Sequence, residues 1–114
     1  MSVGKLDAAL SHLIDRDKWT LQDEVTGTTT VTVPNTATEV YIIVACGSSM
    51  YTAYLLISSL SKTRLEMGGY YNASNDYGLC NLNISNSNRT FQIRNAKYSG
   101  TDYKSSSKMS VYYK

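Results

Sequence analysis

The sequence predicts a mainly β chain: an antiparallel β-sandwich, jelly-roll-like, of about seven or eight strands, preceded by a short N-terminal α-helix. Three observations predict it. Short runs that alternate apolar and polar residues recur after residue 19, the two-residue period of a half-buried strand. Turn signals built from Gly, Asn, Asp and Ser separate these runs about every ten residues. The runs are filled with β-branched residues and with tyrosine, of which there are ten against one Phe and one Trp. The 114 residues suffice for one domain with a real core. A hydrophobic fraction of 42% against 18% charged residues argues against disorder. No internal repeat or linker divides the chain, so residues 1–18 are expected to form an amphipathic helix and residues 19–114 the β domain.

The helix is expected over 1–15. Leu6, Ala9, Leu10, Leu13 and Ile14 form one apolar stripe at helical spacing, and Val3, Leu6, Leu10 and Leu13 also fit a heptad seam. So short a helix is marginal alone. Either it docks on the β domain or it bundles with copies of itself. Asp15 to Lys18 ends it.

Trp19 to Val25 alternates weakly and reads as the first strand, closed by a Thr26-Gly27 turn. Thr28 to Val33 alternates cleanly, with Val31 and Val33 inward, and stops at Pro34, which removes a ladder donor. The uncharged stretch "VYIIVACGSSMYTAYLLISSLS" follows. It has the length of a membrane helix, but a Gly-Ser-Ser centre and tyrosines scattered along it make it a β-hairpin over residues 39–59. In its first strand both faces are apolar: Val40, Ile42 and Val44 on one, Tyr41, Ile43 and Ala45 on the other. One face belongs to the domain core; the second needs another cover, and a neighbouring subunit would supply it. Gly68-Gly69 turns into Tyr70-Tyr71, and Asn72 to Gly78 is a polar loop. Leu79 to Ile84 is a strand with Leu82 and Ile84 on one face, Asn86 to Asn88 a hairpin turn, and Arg89 to Arg94 a strand with Phe91 and Ile93 inward. Ser99 to Asp102 is a turn. Lys108 to Lys114 closes the chain as a strand, with Met109, Val111 and Tyr113 on one face.

Little in the chain supports chemistry, and no enzyme is expected. His12 is the only histidine and lies on the expected helix; no nucleophile elbow or phosphate-binding glycine loop appears. The acids Asp23, Glu24, Glu39, Glu66, Asp76 and Asp102 form no recognisable carboxylate pair. Neither a cofactor nor a metal site is expected, because paired C-x-x-C units are absent. Cys46 and Cys80 sit in apolar runs; buried free thiols and a single bridge both fit them. A net charge of +2 is too small for a nucleic-acid binder. The charge is uneven: six acids face three bases up to Leu60, and eight bases face three acids from Ser61 onward. The acid-bearing N-terminus does not read as a signal peptide. The sequons at Asn72, Asn83 and Asn88 are expected by chance in so Asn- and Ser-rich a chain. One loop could take a ligand: Tyr70, Tyr71 and Tyr77, together with Trp19, offer rings to stack on a sugar, and Asn72, Asn75 and Asp76 offer hydrogen bonds. A carbohydrate- or receptor-binding module is therefore the alternative reading.

Residues 26–114 resemble the small β-sandwich domains of tailed-phage and prophage structural proteins, of the tail-fibre or head-fibre type. Three segments carry the resemblance: "VTGTTTVTVPNTATEVYIIV", "YTAYLLISSL" followed by "GGYY", and the ending "FQIRNAKYSGTDYKSSSKMSVYYK". It implies a non-enzymatic virion protein, made in the bacterial cytoplasm, that acts in assembly or host-surface attachment. It also implies a homotrimer, with other virion proteins or a host glycan as further partners. The expected subunit interface is then Val3, Leu6, Leu10 and Leu13 on the helix and Tyr41 and Ile43 on the two-sided strand.

Overall fold

A computed structural model of the chain describes residues 19–59, 63–67 and 78–114. The expected helix, with Val3, Leu6, Leu10 and Leu13, lies outside the described residues. So does the loop carrying Tyr70, Tyr71, Asn72, Asn75, Asp76 and Tyr77.

The described residues are mainly β, with no α-helix among them. The strands are β1 (Thr20–Thr26), β2 (Val31–Thr32), β3 (Glu39–Cys46), β4 (Ser49–Leu56), β5 (Arg64–Met67), β6 (Gly78–Ser85), β7 (Thr90–Tyr98), β8 (Thr101–Asp102) and β9 (Lys108–Tyr113). They form two antiparallel sheets. One has the order β1-β9-β3-β4; the other has β2-β7-β6-β5, with β8 pairing on β7.

The long uncharged stretch forms the β3–β4 hairpin, in register from Glu39 opposite Leu56 to Cys46 opposite Ser49. Gly47 supplies the positive φ of 59° that its tight turn requires. No helix among the described residues is long and apolar enough to cross a membrane. Asn86, Ser87 and Asn88 all carry positive φ at the β6–β7 turn, where short polar residues tolerate the left-handed region best.

The inward sides of the two sheets share one core. Val40, Ile42, Val44 and Cys46 of β3 meet Met109 and Val111 of β9 in the first sheet; Cys80, Leu82, Phe91, Ile93 and Ala96 come from the second. All are essentially sealed from solvent, as strict alternation along β3 and β9 demands. Both cysteines are free and buried. Burial raises the pKa of both thiols, that of Cys80 to about 12.

Two expectations shift. The alternating run Thr28 to Val33 contributes only the two-residue β2, although Val31 and Val33 are buried as expected. Its first residues are held otherwise: Gln92 Nε2 donates to the Thr28 carbonyl at 2.7 Å, and the Thr29 hydroxyl to Thr26 O at 3.5 Å. The turn expected over Ser99 to Asp102 is confined to Ser99 and Gly100, both at positive φ, and Thr101–Asp102 already pairs with β7. A bulge adds a third irregularity. Asn81 pairs with Asn95 but Leu82 with Ile93, so Arg94 is an extra residue in β7. The inward set therefore moves from Phe91 and Ile93 to Ala96.

The β3 strand is tied to the chain end. The backbone N–H groups of Thr38 and Glu39 donate to the Lys114 carbonyl at 2.8 and 3.0 Å, and Lys114 N–H donates to Glu39 O at 3.1 Å. This places the C-terminal strand between β1 and β3, at the centre of its sheet.

Candidate interaction surface

Alternation puts a second set of β3 side chains on the outer face of the β1-β9-β3-β4 sheet. Cross-strand register then decides their neighbours. Tyr41 lies opposite Tyr54 of β4 on one side and opposite Tyr112 of β9 on the other. Tyr112 in turn lies opposite Leu21 of β1. One row, Leu21–Tyr112–Tyr41–Tyr54, thus crosses all four strands. Ile43 heads the next row, between Ser110 and Thr52, and Ala45 the third, between Lys108 and Met50. Directly opposed side chains of this kind interact across the strands.

Trp19, just before β1, lies against this face. Its ring meets Tyr41 edge-on at 6.0 Å and Tyr54 at 6.2 Å, at interplanar angles of 63° and 80°. These are the tilted geometries favoured by aromatic quadrupoles. The Lys114 ammonium sits 4.7 Å from the Trp19 ring centre and 3.7 Å from Glu39 Oε2. Tyr54 donates its hydroxyl to Glu39 Oε1. That bond raises the Tyr54 pKa, with smaller contributions from partial burial and from the Glu39 charge. Trp19 is buried, and its indole N–H has no acceptor among the described residues.

Beyond this cluster the face is partly exposed. The large apolar side chains left exposed among the described residues are Leu21 (47%), Met50 (67%), Tyr54 (51%) and Leu56 (46%). All four stand on this one face. Singly scattered exposed apolar residues need no explanation, but alignment on one sheet face does.

The outer face of the other sheet is different. Its rows read Arg64–Asn83–Gln92 and Glu66–Asn81–Asn95, with Thr32 and Thr90 sharing a 2.8 Å hydrogen bond nearby. Its side chains are polar, and Asn81 among them is buried. A cleft of about 190 Å³ lies elsewhere, lined by Ala37, Thr38, Ile57, Ser58 and Arg89. It is smaller than the ~300–1,000 Å³ of typical small-molecule sites. The Arg89 Nη1 that borders it already donates to the carbonyls of Pro34 and Ala37, at 2.8 and 2.9 Å. Among the described residues no three or more His, Cys, Asp or Glu side chains gather where they could hold a metal ion.

Tyr41 and Ile43, the interface residues expected on β3, both stand half-buried on the apolar face. Trp19, Leu21, Tyr54, Leu56 and Tyr112 join them there; of these the sequence singled out only Trp19, as a ring to stack on a sugar. Alternation of the chain end around Met109, Val111 and Tyr113 implies that Tyr112 points the other way. Nothing local shows that it meets Tyr41. No protein-family model, curated protein or solved structure matches the chain. The surface itself therefore carries the functional argument.

Proposed function

We propose that the chain is a non-enzymatic structural domain of a tailed-phage or prophage virion, fibre-like, that assembles with copies of itself and serves assembly or host-surface attachment. Its two sheets form a sandwich with jelly-roll-like connections. The observation that carries the reading is the row Leu21–Tyr112–Tyr41–Tyr54, with Met50 and Leu56 beside it, on one sheet face. Tyrosine suits such a role, because its ring buries apolar area while its hydroxyl tolerates water. A chain with only 18% charged residues also has few charges to hold subunits apart. The virion assignment rests on the resemblance of the Thr-rich strand, the hairpin and the chain end to phage fibre domains.

Light scattering coupled to size exclusion, on the full chain at micromolar concentration, tests the self-association. A mass that is a multiple of 12.6 kDa is expected, and a monomer overturns the reading. The exposed half of the Tyr54 ring also favours a second use of the same face, stacking on a carbohydrate. A glycan array probed with the wild-type chain and with Tyr54→Ala tests it: binding lost in the variant supports it, and a blank array removes it.

A further inference from the structure

The self-association proposed above leaves open which part of the domain makes the junction, and the sheet edges answer that. An edge strand offers unpaired backbone groups to any other strand, and natural proteins blunt such edges with charge, bulges or shortness. Four edges here show those devices. The β1 strand is bulged between Leu21 and Asp23 and carries Asp23 and Glu24, the latter 3.5 Å from the Lys108 ammonium. The β2 and β8 strands are two residues long. The β5 strand has four residues and presents Arg64 and Glu66. Only β4, "SMYTAYLL", is an edge of eight residues with no charge, no bulge, no proline and no glycine among the described strands. Three of the four exposed large apolar side chains, Met50, Tyr54 and Leu56, stand on it.

We propose that β4 pairs antiparallel with β4 of a second copy of this chain, about a two-fold axis at Ala53. The occupant follows from the strand itself. In an antiparallel pair, directly opposed residues point to the same face, so only registers that preserve alternation bring outer face to outer face. Centring on Ala53 sets Met50 opposite Leu56 of the second copy and Thr52 opposite Tyr54, with the smallest side chain on the axis. Every opposed pair is uncharged. Pairing with β1 of another copy would instead bring a bulge and two carboxylates against an uncharged strand. The product is a continuous eight-stranded sheet in which Met50, Tyr54 and Leu56 of both subunits meet at the junction. Its assemblies are even-numbered, in place of the trimer that the heptad and the virion resemblance imply.

Charge-swap complementation tests this register. Met50 and Leu56 are exposed, so Met50→Lys with Leu56→Lys should keep the fold, checked by circular dichroism. In the proposed pairing each lysine faces a lysine of the other copy, so the variant should run at half the wild-type mass. Met50→Glu with Leu56→Glu should do the same, and mixing the two variants should restore the mass of twice 12.6 kDa. Hydrogen exchange supplies the second readout: β4 amides should be protected in the wild type and lose protection on dilution. Leu21→Lys, on the same face at the opposite edge, should leave the mass unchanged. An oligomer that survives the lysine pair, a mixture that stays monomeric, a trimeric wild type, or dissociation by Leu21→Lys alone each overturns the β4 junction while leaving self-association standing. A monomeric wild type overturns both.

Discussion

Cys80 shows how burial becomes a measurable pH dependence. Its thiol has a pKa of about 12 in the folded chain against 9.0 when free, because desolvation opposes the thiolate. The unfolded chain therefore loses this proton first as pH rises. Stability from this group is complete below pH 9.0 and declines up to about pH 12, by as much as ~1.4 kcal/mol per pH unit. Urea unfolding at pH 8, 9 and 10 should show a steeper loss for the wild type than for Cys80→Ala, even though the variant is less stable at pH 8. Tyr54 acts in the same direction above its ordinary pKa, since its hydroxyl must stay protonated to donate to Glu39. Trp19 poses a different question, because its buried N–H has no acceptor among the described residues. Trp19→Phe keeps an aromatic edge toward Tyr41 and Tyr54 while removing an unpaired donor, a group that costs roughly 1–3 kcal/mol to bury. Its unfolding midpoint should lie well above that of Trp19→Ala. Gly47 adopts φ 59°, and a Cβ there would meet the Tyr103 ring at 3.1 Å. Gly47→Ala should cost about 1–2 kcal/mol in chemical denaturation, from left-handed strain alone.

Among elements, β7 is the most demanding. Phe91 is fully buried between β2 and β6 partners, and Phe91→Ala should lower stability by ~3–5 kcal/mol, enough to shift thermal unfolding markedly. Arg89, just before β7, clips the 34–37 loop through two carbonyls. Arg89→Ala should cost ~1.5–3 kcal/mol by urea titration, and Arg89→Lys should recover only part, since a single ammonium does not reproduce the planar fork. Much of this level is legible in the residues. Leu82 and Ile84, or Met109, Val111 and Tyr113, declare their inward face by alternation alone, and Gly47 and Asn86 to Asn88 declare their turns. The bulge at Arg94 is not legible. Nothing in "TFQIRNAKY" announces that the inward set passes from Ile93 to Ala96. Nor does the clean alternation of Thr28 to Val33 reveal that side-chain bonds to its backbone will shorten the strand to two residues.

For the whole molecule the decisive fact is the position of β9. The chain's last strand enters between β1 and β3, so residues some ninety positions apart, such as Leu21 and Tyr112, become neighbours. That insertion turns Tyr41 from one apolar residue on a two-sided strand into the middle of an aromatic row. Lys114→Ala should loosen this arrangement locally, since the ammonium lies over Trp19 and beside Glu39. We expect a modest loss of stability, ~1 kcal/mol for this half-buried pair, and a shifted Trp19 fluorescence maximum as its check.

The sequence by itself determined the β class, the hairpin at the uncharged stretch, the inward residues of β2, β6, β9 and the start of β7, and the excess of apolar side chains on β3. Those follow from forces that act over a few residues: alternation on a pleated backbone and the backbone freedom of turn residues. Tertiary structure alone decided which strands are neighbours, which strands stand at the edges of the described sheets and which tyrosines share a face. Those depend on closing long loops so that both sheets bury their apolar sides in one core, and that balance belongs to the whole chain rather than to any segment of it.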